Sequence, residues 1–166
     1  MAGTWLAWGV TDIAVPSALH RGEADLPFVE FGPGQEIQVL QVDLDAGLWV
    51  VRNRFQPGTQ VQTHRHTGAV HAFTTSGSWK YAEYPEVNTA GSYLFEPAGS
   101  THTLVVPESN AEVTDVRFVV YGANLNLDAE GRVELVVDAQ LVLDFYRSMC
   151  AQAGVPDPPV IGAPPL

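Results

Sequence analysis

Residues 57–77 read PGTQVQTHRHTGAVHAFTTSG and place His64, His66 and His71, three of the five histidines in the chain, within eight positions. Gly58 and Gly77 punctuate the run at its two ends, and the segments between them carry the short alternating pattern of strands that meet at Thr67-Gly68. In a strand, residues two apart point to one face, so His64 and His66 project together while Arg65 points away. Histidine is the commonest metal ligand, and two imidazoles on one face can share an ion. His71 opens the next strand, from which its side chain can approach the same spot. A further histidine, His102, follows in GSYLFEPAGSTHTL. Three imidazoles without thiolates suit a catalytic metal with open positions better than a closed structural zinc.

Working outward, residues 36–44 and 47–55 alternate around a turn and predict a β-hairpin. Further strands are predicted over 61–65, 69–75, 78–84, 92–96, 101–106 and 112–121, separated by glycine- and proline-bearing turns. Many short strands at regular spacing predict an antiparallel sandwich or barrel. After Tyr121 the segment GANLNLDAEGR reads as a loop with a turn at 128–131, and VELVVD as one more strand. A helix is predicted over 138–153, capped by Asp138, with Leu141, Val142, Phe145, Tyr146 and Met149 at helical spacing and Gly154 and Pro156 ending it. That stripe is expected to pack on the barrel or a partner subunit. The tail over 155–166 is proline-rich, extended and expected to be poorly ordered.

Bulk properties narrow the field. At 166 residues the chain fits one domain, and its 46% apolar and 16% charged composition is that of a globular protein. No apolar run approaches the ~20 residues of a membrane span. The start of the chain lacks the basic and apolar regions of a secretory signal, which predicts a cytoplasmic protein. A lone cysteine, Cys150, offers neither an internal disulfide nor a thiolate zinc site. The net charge of −11 repels a phosphate backbone, so nucleic acid is a poor partner, and the acidity reads as surface solubility.

The pattern Gly58-x5-His64-x-His66-x4-His71-x5-Gly77, with Gly91-x5-Pro97-x-Gly99-x2-His102, resembles the paired motifs of the cupin superfamily. The resemblance implies an all-β, single-domain cupin barrel, a jelly-roll-like antiparallel sandwich with a C-terminal helix. The cupin domain spans 1–154 and its metal-binding core about 36–121. It also implies a divalent metal on His64, His66 and His102. Where many cupins carry a glutamate this chain has His71, which leaves a three-histidine centre with His71 as a fourth ligand or, preferably, a hydrogen-bonding residue behind the ligands. The blocks HRHTGAVHAFTTSGSWKYAEY, AGSYLFEPAGSTHTL and the segment 122–154 are similar to the 2,4'-dihydroxyacetophenone dioxygenase-like and acetylacetone-cleaving cupins. That similarity implies non-haem Fe(II), with Zn(II) or Ni(II) as alternatives, and cleavage by O2 of a C–C bond in a small hydroxyketone or β-diketone, aryl ketones being the first class to test. A non-oxidative isomerase or lyase and a non-catalytic sensor cupin are the other readings. A homodimer or higher homo-oligomer is expected, since cupins often pair through barrel edges.

Glu96 corresponds in those relatives to a carboxylate near the metal. It is expected either to orient a ligating imidazole or ligate weakly, or else to be a solvated strand end. With His71 it is the candidate base for enolisation. Arg52 and Arg54 are expected to face solvent and pair with the acidic surface, the alternative being that one holds a carboxylate or enolate oxygen. Phe73, Trp79, Tyr81, Tyr84, Tyr93 and Phe95 are expected mostly in the core, some lining an apolar pocket. His20 reads as a surface residue.

Overall fold

Residues 17–166 are described by a computed structural model, and the N-terminal stretch read above for a signal lies outside them. Along the described residues run β1 (Val29–Gly32), β2 (Gln35–Asp43), β3 (Leu48–Phe55), β4 (His64–His66), β5 (Val70–Ser76), β6 (Ser78–Tyr81) and β7 (Asn88–Thr89). Then come β8 (Tyr93–Glu96), β9 (Thr101–His102), β10 (Leu104–Val105), β11 (Thr114–Tyr121), β12 (Asn124–Leu127), β13 (Val133–Val137) and α1 (Ala139–Gln152). A six-stranded sheet in the order β1-β2-β3-β11-β5-β8 forms one wall; β13-β12-β4-β9 and β10-β6-β7 form the others. Every strand pair is antiparallel. The all-β fold with one C-terminal helix is therefore as the sequence predicts.

Alternation decides which side chains face inward. On β5, Val70, Ala72 and Thr74 are buried while Phe73 and Thr75 are exposed. On β3, Trp49, Val51, Asn53 and Phe55 turn towards the interior of the barrel. Gly77 is the single residue between β5 and β6: its φ is 69°, and a Cβ there would lie 2.4 Å from Thr114 Oγ1. The apolar core has two parts. One gathers Ile37, Val39, Val42, Trp49 and Val51 with Val142, Leu143 and Tyr146 of the helix; the other gathers Phe55, Trp79, Tyr81, Leu104 and Val116.

Three expectations are corrected. Residues 124–127 are not loop but strand β12, lying between β13 and β4. Asparagine-rich NLNL has little intrinsic strand preference, and the pairing partners decide its conformation. The run 101–106 is two strands, because the chain changes sheet at Thr103: Thr101–His102 pairs with β4, and Leu104–Val105 with β6. The tail is extended but docked. Val42 N donates to Ile161 O (2.8 Å), Ile161 N donates to Leu40 O (3.1 Å), and Val160 is buried.

The helix begins and ends where its caps require. The Asp138 carboxylate accepts from Leu141 N (2.9 Å). At the other end Val155 N reaches Cys150 O and Gly154 N reaches Ala151 O, with Gly154 at φ 85°. Leu141, Val142 and Phe145 on its inner face line the barrel cavity.

Candidate metal centre

Strand β4 is only three residues long, and its burial alternates: His64 and His66 are buried, Arg65 is exposed. It is held between β12 and β9, and the β9 register sets His102 directly opposite His64. Directly opposed residues share a face, so the third imidazole joins the first two by pairing alone. The ring centroids lie 4.8, 5.1 and 5.0 Å apart, and one nitrogen from each ring falls within 4.8 Å of the others.

Several details fit this cluster to a divalent cation. His64 Nδ1 lies 2.8 Å from the Gln62 carbonyl, which fixes the proton there and leaves Nε2 as a free donor pair. Burial pushes the His64 imidazole down to about 4, against the upward pull of the Gln62 carbonyl, so it is neutral at pH 7. His66 Nε2 and His102 Nε2 are 3.0 Å apart. Two ligands ~2.1 Å from one ion and at right angles are about that far apart.

Glu96 completes the group. Its register places it beside Val70 on β5, facing in, and it is only 3% exposed. Glu96 Oε2 lies 2.6 Å from His66 Nε2 and 3.1 Å from His102 Nε2. Those approaches lack the alignment of hydrogen bonds, so Oε2 counts as an unpaired buried acceptor. Oxygen and nitrogen atoms this close to one another are an arrangement that a shared cation could stabilise. Burial raises the Glu96 carboxyl, but the contacts of His102 and His66, then the Tyr81 hydroxyl, outweigh it and hold it at about 2. Glu96 is thus a carboxylate, and the solvated strand-end alternative does not apply.

Tyr81 is a residue that sequence reasoning left among the general aromatics. Its ring stacks on His102 at 3.6 Å between centroids and 13° between planes, and its hydroxyl donates to Glu96 Oε1 (2.5 Å). The available signal was parity: Trp79 and Tyr81 share the inward face of β6.

His71 is not brought to this group. Its neighbours Val70 and Ala72 face the interior, so His71 lies on the outer face, where Nδ1 meets Tyr93 Oη at 2.8 Å and the ring packs near Phe95. Alternation excludes it from both ligation and base catalysis in the cavity. Phe73, Tyr93 and Phe95 stand on the same outer face, 47–57% exposed, and Tyr84 is also exposed, so only Trp79 and Tyr81 of the six aromatics enter the core. Arg52 is neither solvated nor a substrate anchor. It is buried, and its guanidinium grips Asp115 at 2.7–3.0 Å through Nε and Nη2. Arg54 bridges Asp115 and Glu23 and covers the Phe28 ring, 3.9 Å from its centroid. His20 is exposed, as expected.

The centre opens on a cavity of about 540 Å³ between the sheets. Its walls are mostly apolar, including Ile37, Trp49, Val51, Phe55, Val70 and Phe118. Leu135 and Leu141, 47% and 40% exposed, mark its mouth beside the helix. That volume and lining are those of a small-molecule site.

Comparison with known proteins agrees with this architecture. No curated protein sequence matches the chain. Among solved structures, a protein of unknown function with a cupin-like fold from Ralstonia eutropha JMP134 is 33% identical, covers 93% of this chain and 98% of its own, and superimposes with a TM-score of 0.84. An acetylacetone dioxygenase from Acinetobacter johnsonii is 17% identical, over 81% of this chain and 93% of its own, with a TM-score of 0.71. The Rhodobacter sphaeroides SigE complex with the anti-sigma ChrR aligns over 60% of this chain and 51% of that one, at 16% identity and a TM-score of 0.50. The model of the ChrR cupin-like domain matches residues 19–123, which include all three clustered histidines and Glu96, and on that match and the 33% relative the chain belongs to the ChrR cupin-like domain family.

Proposed function

We propose that the chain is a metal-dependent dioxygenase that cleaves a C–C bond in a small hydroxyketone or β-diketone, with His64, His66 and His102 as the metal ligands. The observation that carries this is the convergence of three buried imidazoles, of which His64 and His66 line an apolar cavity of about 540 Å³. A divalent metal held there supplies a Lewis acid to a carbonyl oxygen and, as Fe(II), electrons for O2. The chain's own residues do the rest. The cavity excludes water from an apolar substrate, the Gln62 carbonyl holds the His64 proton on Nδ1, and Tyr81 keeps the Glu96 carboxylate beside His66 and His102. The fold shared with an acetylacetone dioxygenase supports the choice of reaction. Zn(II) and Ni(II) are the alternative metals, and a homo-oligomer is the expected assembly.

A second reading has its own support. Glu96 sits close enough to the imidazoles to act as a fourth ligand, and a filled sphere suits metal or ligand holding better than oxygen chemistry. The match to the ChrR cupin-like domain, whose solved relative is an anti-sigma protein bound to SigE, points to a sensor or partner-binding module. Metal analysis, anaerobic Fe(II) reconstitution and O2 uptake on hydroxyacetophenones and β-diketones separate the two. Iron-dependent uptake with stoichiometric acid products is expected. Tightly held zinc with no uptake across the panel overturns the dioxygenase and leaves the sensor.

A further inference from the structure

Asn53 faces the barrel cavity from β3, between the inward residues Val51 and Phe55. Its cross-strand neighbours are apolar too, Ile37 on β2 and Val116 on β11. Asn53 is 7% exposed, and its carboxamide finds no protein hydrogen-bond partner among the described residues. An amide with two donors and an acceptor, set in an apolar wall, costs stability unless something in the cavity pairs with it. Of the other amides facing this space, Gln62 is bonded to the Leu127 carbonyl and Glu134 and Asn126 to Gln62, while Asn124, opposite His66 at the histidine end, leaves its Oδ1 unpaired.

Position adds meaning to that unpaired group. Glu96, Val70, Val120 and Trp49 form one cross-strand row, and Asn53 lies four residues beyond Trp49 on β3. At ~3.3 Å per residue, that is roughly 13 Å along the wall from the row holding the carboxylate. Asn53 therefore lies well along the wall from the carboxylate, with only Phe55 beyond it among the lining residues of β3. No lysine or arginine lines the space, and Glu96 is its only carboxylate among the described residues. An anionic ligand finds no protein cation there, the Arg52 guanidinium being spent on Asp115.

We infer that Asn53 is a specificity-determining residue that hydrogen-bonds the far polar group of an uncharged, elongated, largely apolar carbonyl ligand, whose carbonyl end lies towards the histidines. This rests on the reading of the barrel interior as a carbonyl-substrate site. The ligand class follows from the walls: apolar along its length, polar at both ends and neutral. A site that hydrogen-bonds a ligand hydroxyl rejects the analogue lacking it far more strongly than an apolar site rejects an added methyl.

The test is calorimetric binding of 4'-hydroxyacetophenone and its size-matched counterpart 4'-methylacetophenone to the full chain, as purified and after zinc loading, so that turnover does not interfere. The unsubstituted chain is expected to prefer the hydroxyl compound by about tenfold or more. Asn53→Leu is expected to abolish or reverse that preference while raising the melting temperature, since it removes a buried unpaired amide. Asn53→Ser, which keeps a hydroxyl, serves as the milder variant. Equal binding of the two probes, binding of neither, or a preference that survives both substitutions overturns the inference. Oxygen uptake absent across all substrates with the Asn53-dependent preference intact sinks the dioxygenase alone.

Discussion

At the scale of single residues, the candidate site divides into groups that could hold an ion and groups that hold those groups. His64→Ala removes a proposed ligand whose proton is locked on the far nitrogen, so metal content by mass spectrometry is expected to fall from stoichiometric to a small fraction. Retained stoichiometric metal would remove His64 from the ligand set. Tyr81→Phe keeps the ring stacked on His102 but deletes the hydroxyl that donates to Glu96. Losing a hydrogen bond to a buried carboxylate is expected to cost about 1.5–3 kcal/mol in a denaturant titration. The buried ion pair makes a different prediction. Burial raises the Asp115 carboxyl, but hydrogen bonds from Arg52 and then Arg54 pull it below the ordinary carboxylate range. A folded-state value below the unfolded one means that this stabilisation is complete above pH ~4 and is lost as pH falls through the folded value. Asp115→Asn is expected to flatten that acid limb and, by stranding the buried Arg52 charge, to cost about 3 kcal/mol at pH 7. An unchanged pH–stability curve would show that the pair is not the acid-sensitive element.

The same residues show how far sequence alone reaches. His64 and His66 were legible because a two-residue period needs no partner to define a face. His71 was not, although its neighbours decide it: a strand that turns Val70 and Ala72 inward turns the histidine between them outward. Glu96 could not be placed because its strand, YLFE, has no clean alternation of its own, and the register with Val70 is what faces it inward. The Arg52 contact with Asp115 was out of reach for a similar reason, since it joins residues on neighbouring strands that lie 63 positions apart.

At the scale of elements, the long alternating strands and the helix were legible, and the strands that owe their existence to neighbours were not. β12 is the clearest case: NLNL becomes a strand by lying between β13 and β4, and in doing so it fixes the strand that carries two of the histidines. The helix is locally encoded, and its cap is testable alone. Asp138→Ala removes the acceptor for Leu141 N and is expected to cost about 1 kcal/mol by thermal melting. Asp138→Ser should restore most of it. No change in either variant would show that packing of Val142, Leu143 and Tyr146 fixes the helix start without the cap.

At the scale of the whole molecule, the docked tail closes the large sheet. β1 pairs with the first residues of β2, from Gln35 to Ile37, and Ile161 takes the position beside Gln41. Ending the chain after Gly154 would uncover Leu40 O and Val42 N, an open strand edge of the kind that recruits other chains. Such a truncation is expected to melt several degrees lower and to self-associate in light scattering. A monodisperse truncated protein with unchanged melting would make the tail dispensable. Gly162 narrows the tolerance further, since at φ 78° a Cβ there would lie 2.0 Å from Val42 O.

That contact also sets a timetable for biosynthesis. Roughly 120 residues separate Gln41 from Ile161. At ~5–20 residues per second a ribosome needs on the order of 10 s to travel between them. Any hairpin that β2 and β3 form during that interval would have an outer edge without its tail partner. An exposed edge of that kind is expected to be most adhesive during translation itself, so slower elongation, or crowding of ribosomes on one message, would raise the aggregated fraction without any change in the stability of the finished fold.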